Sequence, residues 1–123
     1  MSKSNNGDEI CSETEIGNHL NEHLADWVNE GSSICRRYKT NGWQSTLMVV
    51  NAIAYLSETC WHHPDLEVSY DLVCVRFTNH DAGGVTRKDL EMAARVDQLL
   101  CWTPDDESNS SLKNSQKDMI INN

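Results

Sequence analysis

No basic stripe runs through this chain. Ten Lys and Arg stand against nineteen Asp and Glu, a formal net charge of −9. Binding to phosphate backbones needs clustered cations, so this balance argues against a nucleic-acid partner. Arg36, Arg37 and Lys39 form a short local cluster that reads as a solvated strand edge, because Lys and Arg commonly blunt such edges. Also lacking are any apolar run long enough to span a bilayer and any apolar stretch behind a basic N-terminus. The expected setting is cytoplasmic, without a membrane partner. None of the five cysteines, at positions 11, 35, 60, 74 and 101, forms a CxxC pair, and their number is odd. That suits free thiols in a reducing compartment better than a disulfide framework. Cys74 and Cys101 fall in apolar runs and read as small core hydrophobes. Zinc is not expected either, since structural sites draw closely spaced ligands from two elements, and adjacent side chains such as His62 and His63 diverge on an extended backbone.

What is present fits one domain, with 123 residues in all. Residues 1–16 and 103–123 are rich in Ser, Asn, Asp, Glu and Lys and bury too little apolar surface to offset ordering entropy, so both read as flexible tails around a folded unit at 17–102. Leu20, Leu24, Trp27 and Val28 recur at helical spacing and predict a helix over 18–30. A weak, edge-like strand is expected over 33–40, turning at Asn41-Gly42 into a second short strand near Trp43.

Residues 45–61 contain neither Gly nor Pro, and Leu47, Val50, Ile53, Ala54 and Ser57 share one face of a central helix. Pro64 disfavours helical geometry at the residue before it and ends that helix by His63. The alternation of apolar residues over 66–78 changes phase near 69–71, which predicts two strands meeting at a tight turn, although a bulge serves as well. Residues 81–84 read as a flexible loop. Thr86 then opens a last helix whose apolar side is Leu90, Ala93, Val96, Leu99 and Leu100. The order is αββαββα, an α+β fold with helices gathered on one face of a sheet.

Candidate chemistry lies between Glu58 and Asp89. His62-His63-Pro64 places two imidazoles at a helix end, and histidine titrates near neutral pH, so the pair can supply an acid and a base. Alone the pair is weak evidence, because a helix C-terminus favours protonated His by its dipole anyway. His80 stands at a strand-to-loop junction before Gly83 and Gly84, which would let a planar ligand approach the backbone, or it is a turn residue without a role. Asp89 sits three residues after Thr86 and reads as part of an N-terminal cap. Glu58 lies one turn before His62 and orients it or forms a plain helical pair. Cys60 is near His62, but nothing around it calls for a nucleophilic thiolate.

Taken jointly, Glu58, Trp61, His62-His63-Pro64, Tyr70, Val73, His80, Gly84, Thr86 and Asp89 resemble the motif of the pterin-4a-carbinolamine dehydratase family, in order and spacing. The likeness runs from about residue 33 to 99. It implies a four-stranded antiparallel sheet backed by three helices, assembled as a homodimer or homotetramer. The implied activity is dehydration of 4a-hydroxytetrahydropterin to quinonoid dihydropterin. By position, His62, His63 and His80 are the catalytic candidates, and Glu58, Trp61, Pro64 and Asp89 shape or support the pterin site. The pterin is the substrate, and neither a metal nor a further cofactor is implied. Where the family is Phe-rich, this chain has Cys35, Tyr38, Lys39 and Thr40 and then Leu47, Met48 and Val50, changes that touch the core and the oligomer surface more than the pocket.

Relatives with the same fold also imply a second class of function. They serve as a dimerisation cofactor of a homeodomain transcription factor or as Rubisco assembly factors, which leaves a protein partner as the alternative. Three imidazoles at these intervals favour the enzyme, whereas the altered strand and helix faces favour the binding protein.

Overall fold

The computed structural model describes residues 8–104, 111–113 and 118–121. The chain runs α1 (Glu13–His23), β1 (Val28–Asn29), β2 (Ile34–Thr40), α2 (Trp43–Cys60), β3 (Asp65–Ser69), β4 (Leu72–Phe77), α3 (Arg87–Cys101) and β5 (Ile120–Ile121). The strands form one antiparallel sheet in the order β1-β2-β4-β3, with β5 paired to the end of β2. Period-two alternation explains its two faces. Ile34, Tyr38, Val73, Val75 and Phe77 point to one side and merge into a single buried cluster with Ile16 and Leu20 of α1, Val49 and Ile53 of α2, and Leu90, Ala93 and Val96 of α3. The three helices therefore share that face, as the α+β reading expects. The opposite face carries Cys35, Arg37, Lys39, Cys74 and Arg76, and no helix among the described residues packs on it.

Several local expectations are corrected. The first helix starts at Glu13, because Ser12 and Glu15 form a reciprocal capping box, and it ends at His23. Leu24 and Trp27 continue the apolar spacing and are buried, but from a turn that leads into β1, closed by the Trp27 N–H donating to the Leu24 carbonyl at 3.0 Å. Asn41-Gly42 leads directly into α2, so Trp43 is helical; the partner strand lies before β2, at Val28–Asn29. Gly42 adopts φ +152, and a Cβ there would stand 3.5 Å from the Tyr70 hydroxyl.

β2 is not a solvated edge. It lies between β4 on one side and β1 and β5 on the other. Arg36 is buried, with Nη1 donating to Asp97 Oδ1 at 2.7 Å and Nη2 facing Asp26 Oδ2 at 3.5 Å. Tyr38 OH and Trp27 Nε1 also donate to Asp97, so one α3 carboxylate gathers three buried donors and fastens α3 to β2. Leu47 and Leu99 are exposed, the buried face of α2 being Ser45, Thr46, Val49, Ile53 and Ser57. Cys74 is a buried residue as expected, but Cys101 ends α3 exposed.

The expected flexible tails lie partly outside the described residues. Within them, Ile10 bridges to Thr86, the Cys11 N–H donates to the Val85 carbonyl, Ile16 is buried, and residues 120–121 pair with β2. No helix among the described residues is long and apolar enough to cross a membrane.

Candidate active site

The end of α2 builds the site. Trp61 caps the helix in the left-handed region at φ +53, the one non-glycine residue with positive φ among those described. The turn closes with the His62 N–H donating to the Ser57 carbonyl at 3.1 Å. This reversal sends His62 inward and leaves the Trp61 indole 75% exposed. Pro64 then forces extended backbone, and β3 begins at Asp65.

His62 is the inner member of the site. Its ring lies parallel to Phe77 on β4, with centroids 6.0 Å apart and planes at 10°. Its Nε2 is 2.6 Å from Oδ1 of Asp89, a residue with no exposed surface. Asp89 is the third residue of α3. Its Oδ2 accepts from the Thr86 N–H at 2.8 Å and from Thr86 Oγ1 at 3.1 Å. The capping expectation is met, and the same carboxylate also holds an imidazole. With Nε2–H given to Asp89, Nδ1 is an acceptor in the neutral ring and a donor in the imidazolium.

His63 and His80 stand further out. His63 Nε2 is 2.9 Å from Glu58 Oε1, so Glu58 pairs with the second histidine of the motif rather than the first. The Trp61 ring meets the His63 ring edge-on at 5.1 Å and 82°. His80 occupies a loop that Asn79 closes. The Asn79 N–H donates to the Gly84 carbonyl at 2.9 Å, the Gly83 N–H to the Asn79 carbonyl at 2.8 Å, and the Ala82 N–H to Asn79 Oδ1 at 2.9 Å. These bonds tie down a segment that composition alone suggested was flexible. Gly84 does not offer its backbone to a ligand, because a Cβ there would already meet the Ile10 side chain at 3.3 Å.

Sequence reasoning missed Asp65. His80 Nε2 lies 3.7 Å from its Oδ2, with the two side chains 77% and 62% exposed. The signal was available in the hairpin. An antiparallel β3–β4 pair places the first residue of β3 beside the end of β4, and so beside the loop that bears His80. The structure thus gives each imidazole its own carboxylate: His62 with Asp89, His63 with Glu58, and His80 with Asp65. The first pair is sheltered and the other two open to solvent. His62 also borders a cleft of about 160 Å³ with Cys60, Lys88, Glu91, Met92 and Arg95. Among the described residues no three His, Cys, Asp or Glu side chains gather as a metal site.

Comparison with known proteins places this arrangement in context. The family described as Pterin 4 alpha carbinolamine dehydratase matches residues 9–99. A protein of Aquifex aeolicus (strain VF5) named "Putative pterin-4-alpha-carbinolamine dehydratase" is 45% identical over 89 residues, which cover 72% of this chain and 89% of that one. A protein of the same name from Chloroflexus aurantiacus (strain ATCC 29366 / DSM 635 / J-10-fl) is 36% identical over 72% of this chain and 95% of its own length. Among solved structures, a transcriptional coactivator/pterin dehydratase from Brucella melitensis superposes with a TM-score of 0.68 at 25% identity, covering 74% of this chain and 98% of that one. A pterin dehydratase-like protein described as a RuBisCO assembly factor in the alpha-carboxysome gives 0.53 at 25% identity, over 63% and 92%. With a match from residue 9 to residue 99 and relatives aligned over nearly their full lengths, this chain belongs to the pterin 4 alpha carbinolamine dehydratase family.

Proposed function

We propose that the chain dehydrates 4a-hydroxytetrahydropterin to quinonoid dihydropterin. The observation that carries this reading is the set of three imidazoles, each within 4 Å of a separate carboxylate, in one stretch from Glu58 to Asp89. Loss of the 4a-hydroxyl breaks the C4a–O bond. A proton joins the departing oxygen to give water, and another leaves a ring nitrogen. Imidazoles working near neutral pH can serve both transfers, each contributing a factor of about 10² to 10⁴. In this reading His62, His63 and His80 are the acid/base groups. Asp89, Glu58 and Asp65 orient them, and Pro64 fixes the chain between His63 and Asp65. Trp61 offers an aromatic surface to the pterin ring. The pterin is the substrate, and the reaction draws on no metal or other cofactor. Five free cysteines support a reducing, cytoplasmic setting, and a homodimer or homotetramer is the proposed assembly.

The test is the rate of 4a-hydroxytetrahydropterin dehydration by purified protein, followed by ultraviolet absorbance, with His80→Ala alongside. Acceleration above the spontaneous rate that is lost in the variant, at an unchanged melting temperature, is the expected result.

A second reading is a binding protein on the same fold. It is favoured by the exposed apolar side chains of α2, Trp43, Leu47, Met48 and Tyr55, and by the assembly-factor neighbour. A folded protein without any acceleration would leave this second reading standing and remove the first.

A further inference from the structure

Cys35 on β2 and Cys74 on β4 lie on the helix-free face, where the proposed dehydration uses nothing. Both are buried, and their sulfur atoms are 3.0 Å apart. The register sets Cys35 opposite Arg76 and Cys74 opposite Arg37, which makes the two cysteines diagonal neighbours on adjacent strands. Arg76 Nη2 reaches Cys74 Sγ at 3.8 Å. Cys35 is also reached from outside. Among the described residues β1 pairs with β2 at Ile34 and Cys35, and β5 pairs with it at Lys39 and Thr40. A cavity of about 260 Å³ lies along it, lined by Cys35 with Val28, Glu30, Arg36, Arg37 and Ile121 among others.

We propose that Cys35 and Cys74 are a redox modification site, a dithiol that closes reversibly to a cross-strand disulfide. With a peroxide as oxidant, one sulfur attacks a peroxide oxygen, the O–O bond breaks and a sulfenic acid forms with release of water. The second sulfur then displaces the sulfenic hydroxyl as a further water. Two thiols have lost two hydrogens and one hydrogen peroxide has become two waters. The cavity lets a molecule of that size reach Cys35, the sulfur that borders it. Burial, followed by the contact with Cys74, pushes the Cys35 thiol up to about 12.

Reversibility follows from the register. Diagonal neighbours on antiparallel strands have Cα atoms about 7–8 Å apart. A disulfide seldom spans more than about 7 Å, so the bond draws the strands together, and strained bridges are easily reduced.

The experiment treats the native, full-length protein with hydrogen peroxide, blocks remaining thiols, and reads intact mass and a peptide map. The expected result is a loss of two hydrogen masses and a peptide containing Cys35 joined to one containing Cys74, both restored by excess reduced glutathione. Cys101→Ser keeps the link, whereas Cys74→Ser loses it and leaves Cys35 open to alkylation. Two free thiols after treatment, oxygen addition in place of hydrogen loss, a link between other cysteines, or a link that glutathione does not open would each overturn the proposal. The wild-type map decides it even where a variant fails to fold, and no outcome depends on dehydratase activity.

Discussion

His62 Nε2 lies 2.6 Å from Oδ1 of Asp89, while the other oxygen of that carboxylate caps α3 through Thr86. One buried side chain thus links the end of α2, the start of α3 and the inner imidazole of the site. Structure and proposed chemistry meet at a single residue, and its variants separate them.

Asp89→Ala removes the cap and the imidazole partner together. It should cost about 0.5–2 kcal/mol of stability, the usual range for a lost capping interaction, and reduce dehydration as well. Asp89→Asn keeps an acceptor for Thr86 and should retain most of the melting temperature while lowering turnover. Thermal unfolding and the dehydration assay, run on both variants, check the division. Equal effects in the two would show that the charge has no part in the chemistry.

Tyr38 predicts the behaviour in alkali. Its hydroxyl is buried and donates to the Asp97 carboxylate, and desolvation followed by that negative charge raises its pKa above the ordinary 10.0. The unfolded chain loses this proton at about pH 10 while the folded chain keeps it. Stability supplied by the protonated hydroxyl is therefore complete below pH 10 and declines as pH rises beyond it. Tyr38→Phe should flatten that decline, measured as urea midpoints between neutral and strongly alkaline pH.

Ser12 tests where the folded unit begins. Its hydroxyl accepts from the Glu15 N–H at 3.1 Å, and the Glu15 carboxylate accepts from the Ser12 N–H at 2.7 Å. Ser12→Ala should cost about 1 kcal/mol and lower the melting temperature measurably. A variant indistinguishable from the parent would mean that α1 contributes little at its start.

Trp61 sets stability against binding. A side chain in the left-handed region costs about 1 kcal/mol or more, a penalty glycine escapes. Because the indole is 75% exposed, little packing is lost with it. Trp61→Gly should raise the melting temperature and, in the proposed enzyme, raise KM more than it lowers kcat. A drop in stability instead would show that the edge contact with His63 outweighs the backbone strain.

How much of this was legible in the sequence depends on the range of the interaction. The Thr86–Asp89 cap, the α2 helix and the β3–β4 turn follow from residues a few positions apart, and all three are found. Ser12-x-x-Glu15 was an equally local capping signal, obscured by the polar composition around it. Arg36 was misplaced because its environment comes from Asp97, sixty-one positions away. The partners of His63 and His80, and the contact between Cys35 and Cys74, depend on register and helix termination, which periodicity does not reveal.

The pairing of each imidazole with its own carboxylate has a further consequence for how a ligand arrives. Any positive charge acquired at His62, His63 or His80 is cancelled within 4 Å, on a chain whose formal net charge is −9. These three pairs contribute no local excess of positive field, and an uncharged ring would meet them by diffusion and shape. Encounter should then be nearly indifferent to ionic strength, so that kcat/KM stays level as added salt shortens the Debye length from about 30 Å to about 8 Å.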